Sequence, residues 1–544
     1  MFATLTGKRC ERWEAGVVAG LVALAGLLLF WRLDANYLWQ DEAATAVMSA
    51  RMLEHGKPLA YDGVNLISND NFTSEEFATI DQRTHDAAAG VAYCLARGDF
   101  KPDSTWTYQP WGQFVVTAAS LCLFGHTTFA ARLPFALAAL LAVFVAYVLV
   151  RRYTSDPFLA VLAAALLLCN AFWILHGRQC RYYALSSLML VVTLWCYARW
   201  QWDRTRFGAV GFVVAAWCWF HVDYGTLWPV AGVLFVDALW HRRGRARLEP
   251  LVVGLALAVA ILPCALYYDL GRRISVQSRT WIERFQASAF NLNQFVVPAL
   301  VVLAALVLLV KLRRGLPEAE RRLVTIACGV FAALALWVPS VAPEGFLRYV
   351  LATAPLGALL TAWVASRSLA RWGRVAVACG AALVAFTPWV SAPLHALVKP
   401  PLWIKPDGVL RAELADLVSE VFHERPDPNR LVIDWLKAHA GPTDEILINY
   451  EDVPLMFYLP NPIRGGIAAF RAEDDARTPP RYVVLRQSVP FVHWPVFKRE
   501  VDRYRWKAIE TGAPDVMWGN NPDPMGRFHD PAQARKLVFA QRTE

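Results

Sequence analysis

The chain has no HExxH or CxxC metal-ligand spacing, no P-loop and no dinucleotide-binding glycine motif. The nucleotide and zinc chemistries built on those devices are therefore not encoded in recognisable form. Cysteine is absent after residue 400, so no disulfide framework supports that region. Most of the ten cysteines, among them Cys122, Cys169, Cys196, Cys218, Cys264, Cys328 and Cys379, lie inside apolar runs. A free thiol there acts as a small hydrophobe. No solenoid repeat or low-complexity tract is present.

Apolar side chains are what the sequence has in quantity. Of 544 residues, 56% are hydrophobic and 23 are tryptophan, and the mean hydropathy is +0.33. Runs of about 20 apolar residues ending in Trp, Tyr, Arg or Lys describe a polytopic helical membrane protein. The net charge of +9 comes from basic residues between apolar runs, as the positive-inside bias produces. It implies no nucleic-acid partner. Lys8, Arg9 and Arg12 precede a first span over 14–33, which reads as a retained signal anchor entering from the cytoplasm.

A long polar segment, 34–110, follows and is expected outside the cytoplasm, with an amphipathic stretch over 84–97. Apolar runs then occupy 113–124, 128–150, 157–175, 182–199, 207–220, 224–240, 248–268, 291–312, 321–339, 346–365 and 372–391. Basic connections near Arg151-Arg152, 199–206, 241–247, 311–322 and 367–374 place one set of turns in the cytoplasm. The turns near Arg178, His221, 271–289 and Arg348 then face the other side. The run at 113–124 is too short for a comfortable span, and a full crossing there would invert everything after it. It is read as tilted, re-entrant or paired, giving about 11 to 13 spans. After Val390 the composition changes. A linker at Lys399-Pro400-Pro401, helices over 410–423 and 430–440, and strands over 445–449 and 481–485 predict a small soluble α/β domain, 396–544.

The centre of the pattern is Trp39-Gln40-Asp41-Glu42, two carboxylates where the first span leaves the bilayer, ahead of a helix over 43–55. A carboxylate beside hydrocarbon needs a task or a partner. The alternative is a helix start, where negative charge complements the dipole. On the same predicted side lie Arg178, Arg181 and Tyr182, then His221 and Tyr224, then Arg348 and Tyr349, with Arg132 in Ala131-Arg132-Leu133-Pro134. Arginines without a sequence-local carboxylate are natural phosphate ligands. Each also reads as an interfacial anchor, and His221 as a structural histidine.

The order Trp39-Gln40-Asp41-Glu42, Tyr108-Gln109-Pro110, Ala131-Arg132-Leu133-Pro134, Arg178-Gln179-Cys180-Arg181-Tyr182-Tyr183-Ala184-Leu185 and Arg348-Tyr349 resembles the bacterial GT-C glycosyltransferases. It is most similar to the group of the lipid A aminoarabinose transferase, the protein O-mannosyltransferases and the rhizobial lipopolysaccharide galacturonosyltransferases. The resemblance implies an all-α, GT-C-type membrane domain over 1–395 with a small periplasmic α/β domain. It implies inverting transfer of a sugar from a polyprenyl-phosphate donor to a lipid, glycan or protein acceptor, at the periplasmic face of the bacterial inner membrane. Asp41 would then be the catalytic or acceptor-orienting carboxylate, with Glu42 beside it. Tyr108, Gln109, Arg132, Arg178, Arg181, Tyr182, His221, Tyr224, Arg348 and Tyr349 would bind the donor phosphate and sugar. Many relatives have a basic residue before a Pro-Pro-Leu turn, whereas this chain has Gln109-Pro110-Trp111-Gly112, so charge neutralisation rests on the arginines.

Chemically, a departing polyprenyl phosphate needs cations more than a strong acid. An attacking hydroxyl needs a carboxylate to take its proton; a phosphate acceptor would not, and Asp41 would then orient. A divalent cation on Asp41 or Glu42 is left open. Many spans and intramembrane polar groups also fit a secondary transporter or lipid-sugar flippase, and a third reading is a non-catalytic assembly protein.

Overall fold

The structure, a computed structural model, describes residues 7–8, 11–67, 98–154, 156–270, 280–342, 345–395, 413–465, 479–486, 498, 501–516 and 534–543. The stretch expected over 84–97 and the linker at 399–401 lie outside those residues.

Helix α1 (Arg12–Phe30) is the first span. Helix α2 (Gln40–His55) starts three residues earlier than the apolar pattern predicts, so Asp41 and Glu42 both sit in its first turn. It stops at Gly56, whose φ of +72° a side chain would disfavour. Then come α3 (Gly112–Phe124), α4 (Thr128–Tyr153), α5 (Pro157–Leu168), α6 (Ala171–Gly177), α7 (Tyr183–Gln201), α8 (Arg206–His241), α9 (Leu248–Tyr267), α10 (Trp281–Asn291), α11 (Ala299–Leu312), α12 (Glu318–Val341), α13 (Ala354–Leu369) and α14 (Gly373–Phe386).

Among the described residues, six helices are long and apolar enough to cross a membrane, or up to eight if each bent pair is one span. That is fewer than the sequence predicts, and geometry supplies the reason. Helix α8 is 36 residues long but leaves helical geometry at Asp223, with φ −158° and ψ 89°. Its first leg runs against α7: Gly208 lies on the Trp200 backbone, and Trp219 Nε1 donates to Ser186 Oγ at 2.9 Å. Its second leg returns along α7, where Tyr197 donates to the Leu234 carbonyl at 3.0 Å and Arg242 to Gln201 at 3.2 Å. The element is a hairpin, matching the separate runs at 207–220 and 224–240. Helices α13 and α14 likewise fold back at Gly373, φ +87°, so that Leu369 packs on Gly380. The pairs α5–α6 and α10–α11 are bent by 70° and 74°. Asn170 at one break donates to the Phe295 carbonyl at the other at 2.8 Å, satisfying backbone that lipid could not.

Helix α3 resolves the topological conflict. Its 13 residues span about 20 Å, short of the roughly 30 Å hydrocarbon core. Near its start Thr45 donates to Gln113 at 3.4 Å, while Gly112 lies on the His221 carbonyl. Just past its end the His126 ring stacks on Phe457 of the soluble domain, with centroids 3.9 Å apart. Both ends therefore belong to one end of the bundle, and the helix lies across it.

Helix α4 measures the two ends. Arg132 in its first turns pairs with Glu42 at 2.6 Å, and Arg151 in its last turn pairs with buried Glu14, about 28 Å away at 1.5 Å per residue. The Arg151 end collects the basic connections, with Arg152–Asp203 and Arg242–Glu249 pairs each at 2.7 Å and Arg322–Asp237 and Arg367–Glu320 pairs. The other end carries Asp41 and the soluble domain.

That domain holds a five-stranded mixed sheet in the order β2-β1-β3-β5-β4, from β1 (Ile446–Ile448), β2 (Ile463–Arg464), β3 (Tyr482–Leu485), β4 (Trp506–Pro514) and β5 (Lys536–Arg542). Strand β1 is parallel to β2 and β3; β5 is antiparallel to β3 and β4. Ile433 and Leu436 of helix Pro428–His439 pack on Ile446, Ile448, Val484 and Phe539. Helix Glu413–Phe422 instead buries Leu417 and Val421 in the bundle core.

Candidate active site

Asp41 is held by two cations. Arg348, in the short turn Leu347–Tyr349, donates from Nη1 to Asp41 Oδ2 at 2.7 Å. Arg181, in the turn between α6 and α7, brings Nη2 to 3.6 Å of the same oxygen. Asp41 keeps a quarter of its side-chain surface exposed, while Arg181 is buried. Aromatic rings line the pair: Arg181 stands 5.9 Å from the Tyr182 ring, and Arg348 stands 4.7 Å from Phe346 and 5.7 Å from Tyr349. Tyr183 is within electrostatic reach of both arginines, and Tyr108 of Tyr349. Arg181 Nη1 also reaches Thr45 Oγ1 at 3.4 Å, while its buried Nε has no partner among the described residues. From Thr45 a polar chain runs to Gln113 and on to Gln109 at 3.2 Å. Gln109 is thus tied to the site, through Thr45 and Gln113, which the motif pattern does not single out.

Three predicted residues serve architecture. Glu42 is fully buried and paired through both oxygens with Arg132, at 2.6 and 2.8 Å, and its Oε1 also accepts from the Cys180 amide at 2.7 Å. Arg132 places its remaining N–H groups on the carbonyls of Leu33, Asn36 and Tyr37 at 2.9–3.2 Å. A guanidinium has five N–H donors, so none is left for a phosphate. Arg178 donates to the carbonyls of Leu28, Trp31 and Arg32, capping the end of α1.

His221 and Tyr224 form a separate group near the α8 reversal. His221 Nδ1 lies 3.4 Å from the Tyr268 hydroxyl, which also accepts from the Trp111 amide, and the Tyr224 ring is 6.1 Å from Phe220. Asp223 accepts from Ser186 at 2.7 Å and Thr226 at 2.6 Å, capping the second leg of α8.

Among the described residues no group of three or more His, Cys, Asp or Glu converges as metal ligands. Glu42 has its oxygens on Arg132 and the Cys180 amide, and Asp41 faces two guanidinium groups. That donor set does not fit a divalent cation.

The fold is that of the GT-C class of membrane glycosyltransferases. Among solved structures the chain is similar to ArnT from Cupriavidus metallidurans bound to undecaprenyl phosphate, with a TM-score of 0.59 and 14% identity over 97% of this chain and 98% of that one. The same protein in the apo state gives 0.56 and 15%, with the same coverage. A family profile described as dolichyl-phosphate-mannose-protein mannosyltransferase matches residues 109–268, from the Gln109 turn to the end of α9. No curated protein matches the chain in sequence.

Proposed function

We propose that this protein is an inverting glycosyltransferase that moves a sugar from a polyprenyl-phosphate carrier to a lipid, glycan or protein acceptor at the periplasmic face of the inner membrane. The observation that carries the reading is one partly exposed carboxylate between two arginines, at the end of the bundle opposite the basic connections. In the reaction the acceptor oxygen bonds to the anomeric carbon as the carbon–oxygen bond to phosphate breaks. Asp41 takes the hydroxyl proton. Arg181 and Arg348 stabilise the charge growing on the leaving phosphate, the buried Arg181 Nε adding a donor that has no other partner among the described residues. A phosphate seated between them would draw Arg348 from Asp41 and free the carboxylate to act as base. Undecaprenyl phosphate bound to ArnT supports a donor of this class.

The test is Asp41→Asn in membranes, assayed for transfer from lipid-phosphate sugars. Turnover should fall at least 100-fold, the usual scale for a general base; full turnover at normal protein level would remove Asp41 from the mechanism. The paired broken spans are a feature shared with transporters, but at these breaks Asn170 donates to the Phe295 carbonyl, Asn293 accepts from the Ala299 amide and Ser391 donates to Gln294.

A further inference from the structure

We propose that the soluble domain is a working part of the active site, with Asp452 as a positioning residue that holds Asp41 through Gln40. The inference rests on the role of Asp41 proposed above.

Gln40 is the residue before Asp41 in the same helical turn, and its side-chain amide is gripped at both ends. Nε2 donates to Asp452 Oδ1 at 2.6 Å, and Oε1 accepts from the Val453 amide at 3.3 Å. The approach to Gln40 is held the same way. The Tyr37 amide donates to Asp427 at 2.6 Å, the Leu38 amide to the Tyr458 hydroxyl at 3.0 Å, and the Leu38 carbonyl accepts from Asn429 at 3.0 Å. Asn429 also donates to Glu451 at 3.1 Å. Glu451 is fully buried, faces the Gln40 amide and has φ +67°, a backbone that a non-glycine residue keeps only where its surroundings impose it. Gly465 makes room for this segment, since a Cβ there would lie 2.2 Å from that of Asp452. Tyr450, next along, is within electrostatic reach of both Asp41 and Arg348.

The first turn of α2 is therefore fixed from two directions. Arg132 and Glu42 hold it from the bundle; Asp452 and its neighbours hold it from the soluble domain. If only the bundle mattered, the Gln40 fork would be ornamental. A misplacement of about 1 Å at a reacting group costs about 100-fold in rate.

The experiment uses full-length protein in its own membranes, which supply the lipid-linked donor. Release of polyprenyl phosphate is one readout, and binding of undecaprenyl phosphate to purified protein is the other. Asp452→Ala and Gln40→Ala should each lower turnover 10- to 100-fold and leave undecaprenyl phosphate affinity within about twofold. The double variant should be no slower than the worse single one, as for two residues in one contact. Asp452→Asn keeps the accepting oxygen and should restore most of the turnover, which also separates positioning from failed folding. Wild-type turnover in both alanine variants, with Asp41→Asn inactive, overturns the positioning role and leaves the glycosyltransferase reading standing. An active Asp41→Asn removes Asp41 from the mechanism, and the positioning role falls with it. Equal losses in Asp452→Asn and Asp452→Ala, tracking lost folded protein, also overturn the inference.

Discussion

Two arginines in the same quarter of the molecule have opposite expected phenotypes. Arg132 is buried with every N–H in use, so Arg132→Ala leaves the buried Glu42 without its ion-pair partner. Removing one partner of such a pair costs about 3–5 kcal/mol, and the thermal midpoint of the purified protein should drop sharply. Arg348 is partly exposed at the site. Arg348→Ala should leave the midpoint nearly unchanged and lower turnover about 100- to 1000-fold, the scale for losing one preorganised charge stabiliser. A large midpoint loss for Arg348→Ala would place it with the architecture. Glu451 supplies a pH signature. Burial pushes its carboxyl up from 4.5 to about 8, so between those values the folded chain holds a proton that the unfolded chain has released. Stability contributed at this position falls as pH rises through that window. Glu451→Gln cannot ionise, so its midpoint should gain on wild type from pH 5.5 to pH 8.5; parallel midpoints would contradict the burial.

At the level of elements, hydropathy alone could place α4 and α12 but could not orient α3. A run of 13 apolar residues looks the same whether it dips into the bilayer or lies on it. The contacts of its two ends distinguish the cases, and those contacts come from α2, α8 and the soluble domain. Its outer face suits the interface: Leu123 is 75% exposed. A charge there costs little, whereas one at the lipid-facing middle of a span costs about 2.5–3.5 kcal/mol. Leu123→Arg should insert and accumulate normally. Leu141→Arg, at an exposed mid-span position of α4, should accumulate poorly, as membrane immunoblots would show. Similar legibility governs the site. Charge bias could place Arg178, Arg181, His221 and Arg348 at one end, but it carries no information about rotation around a helix axis. Arg178 and Arg181 are three residues apart, yet one caps α1 and the other faces Asp41. Gln40 was visible only as a neighbour of Asp41, because its partner lies in a domain whose packing leaves no periodic signal at residue 40.

Across the whole molecule, the bundle and the soluble domain share hydrogen bonds from Tyr37 to Gln40 and again at Asn65, whose side chain takes the Ile463 amide at 2.7 Å and gives to the Asn461 carbonyl at 3.1 Å. Removing 400–544 should therefore yield a bundle that inserts but turns over far more slowly, measured as polyprenyl phosphate release against protein level. The distance along the chain between Asp41 and its partners has a consequence for synthesis. Asp41 leaves the ribosome early; Arg348 follows 307 residues later, and Asp452 trails Gln40 by 412. At about 5–20 residues per second, the nascent protein sits in the membrane for tens of seconds before Asp41 meets Arg348 and Gln40 meets Asp452. On the proposed mechanism an unfinished chain consumes lipid-linked sugar far more slowly than the finished one, and full competence arrives only with the last quarter of translation.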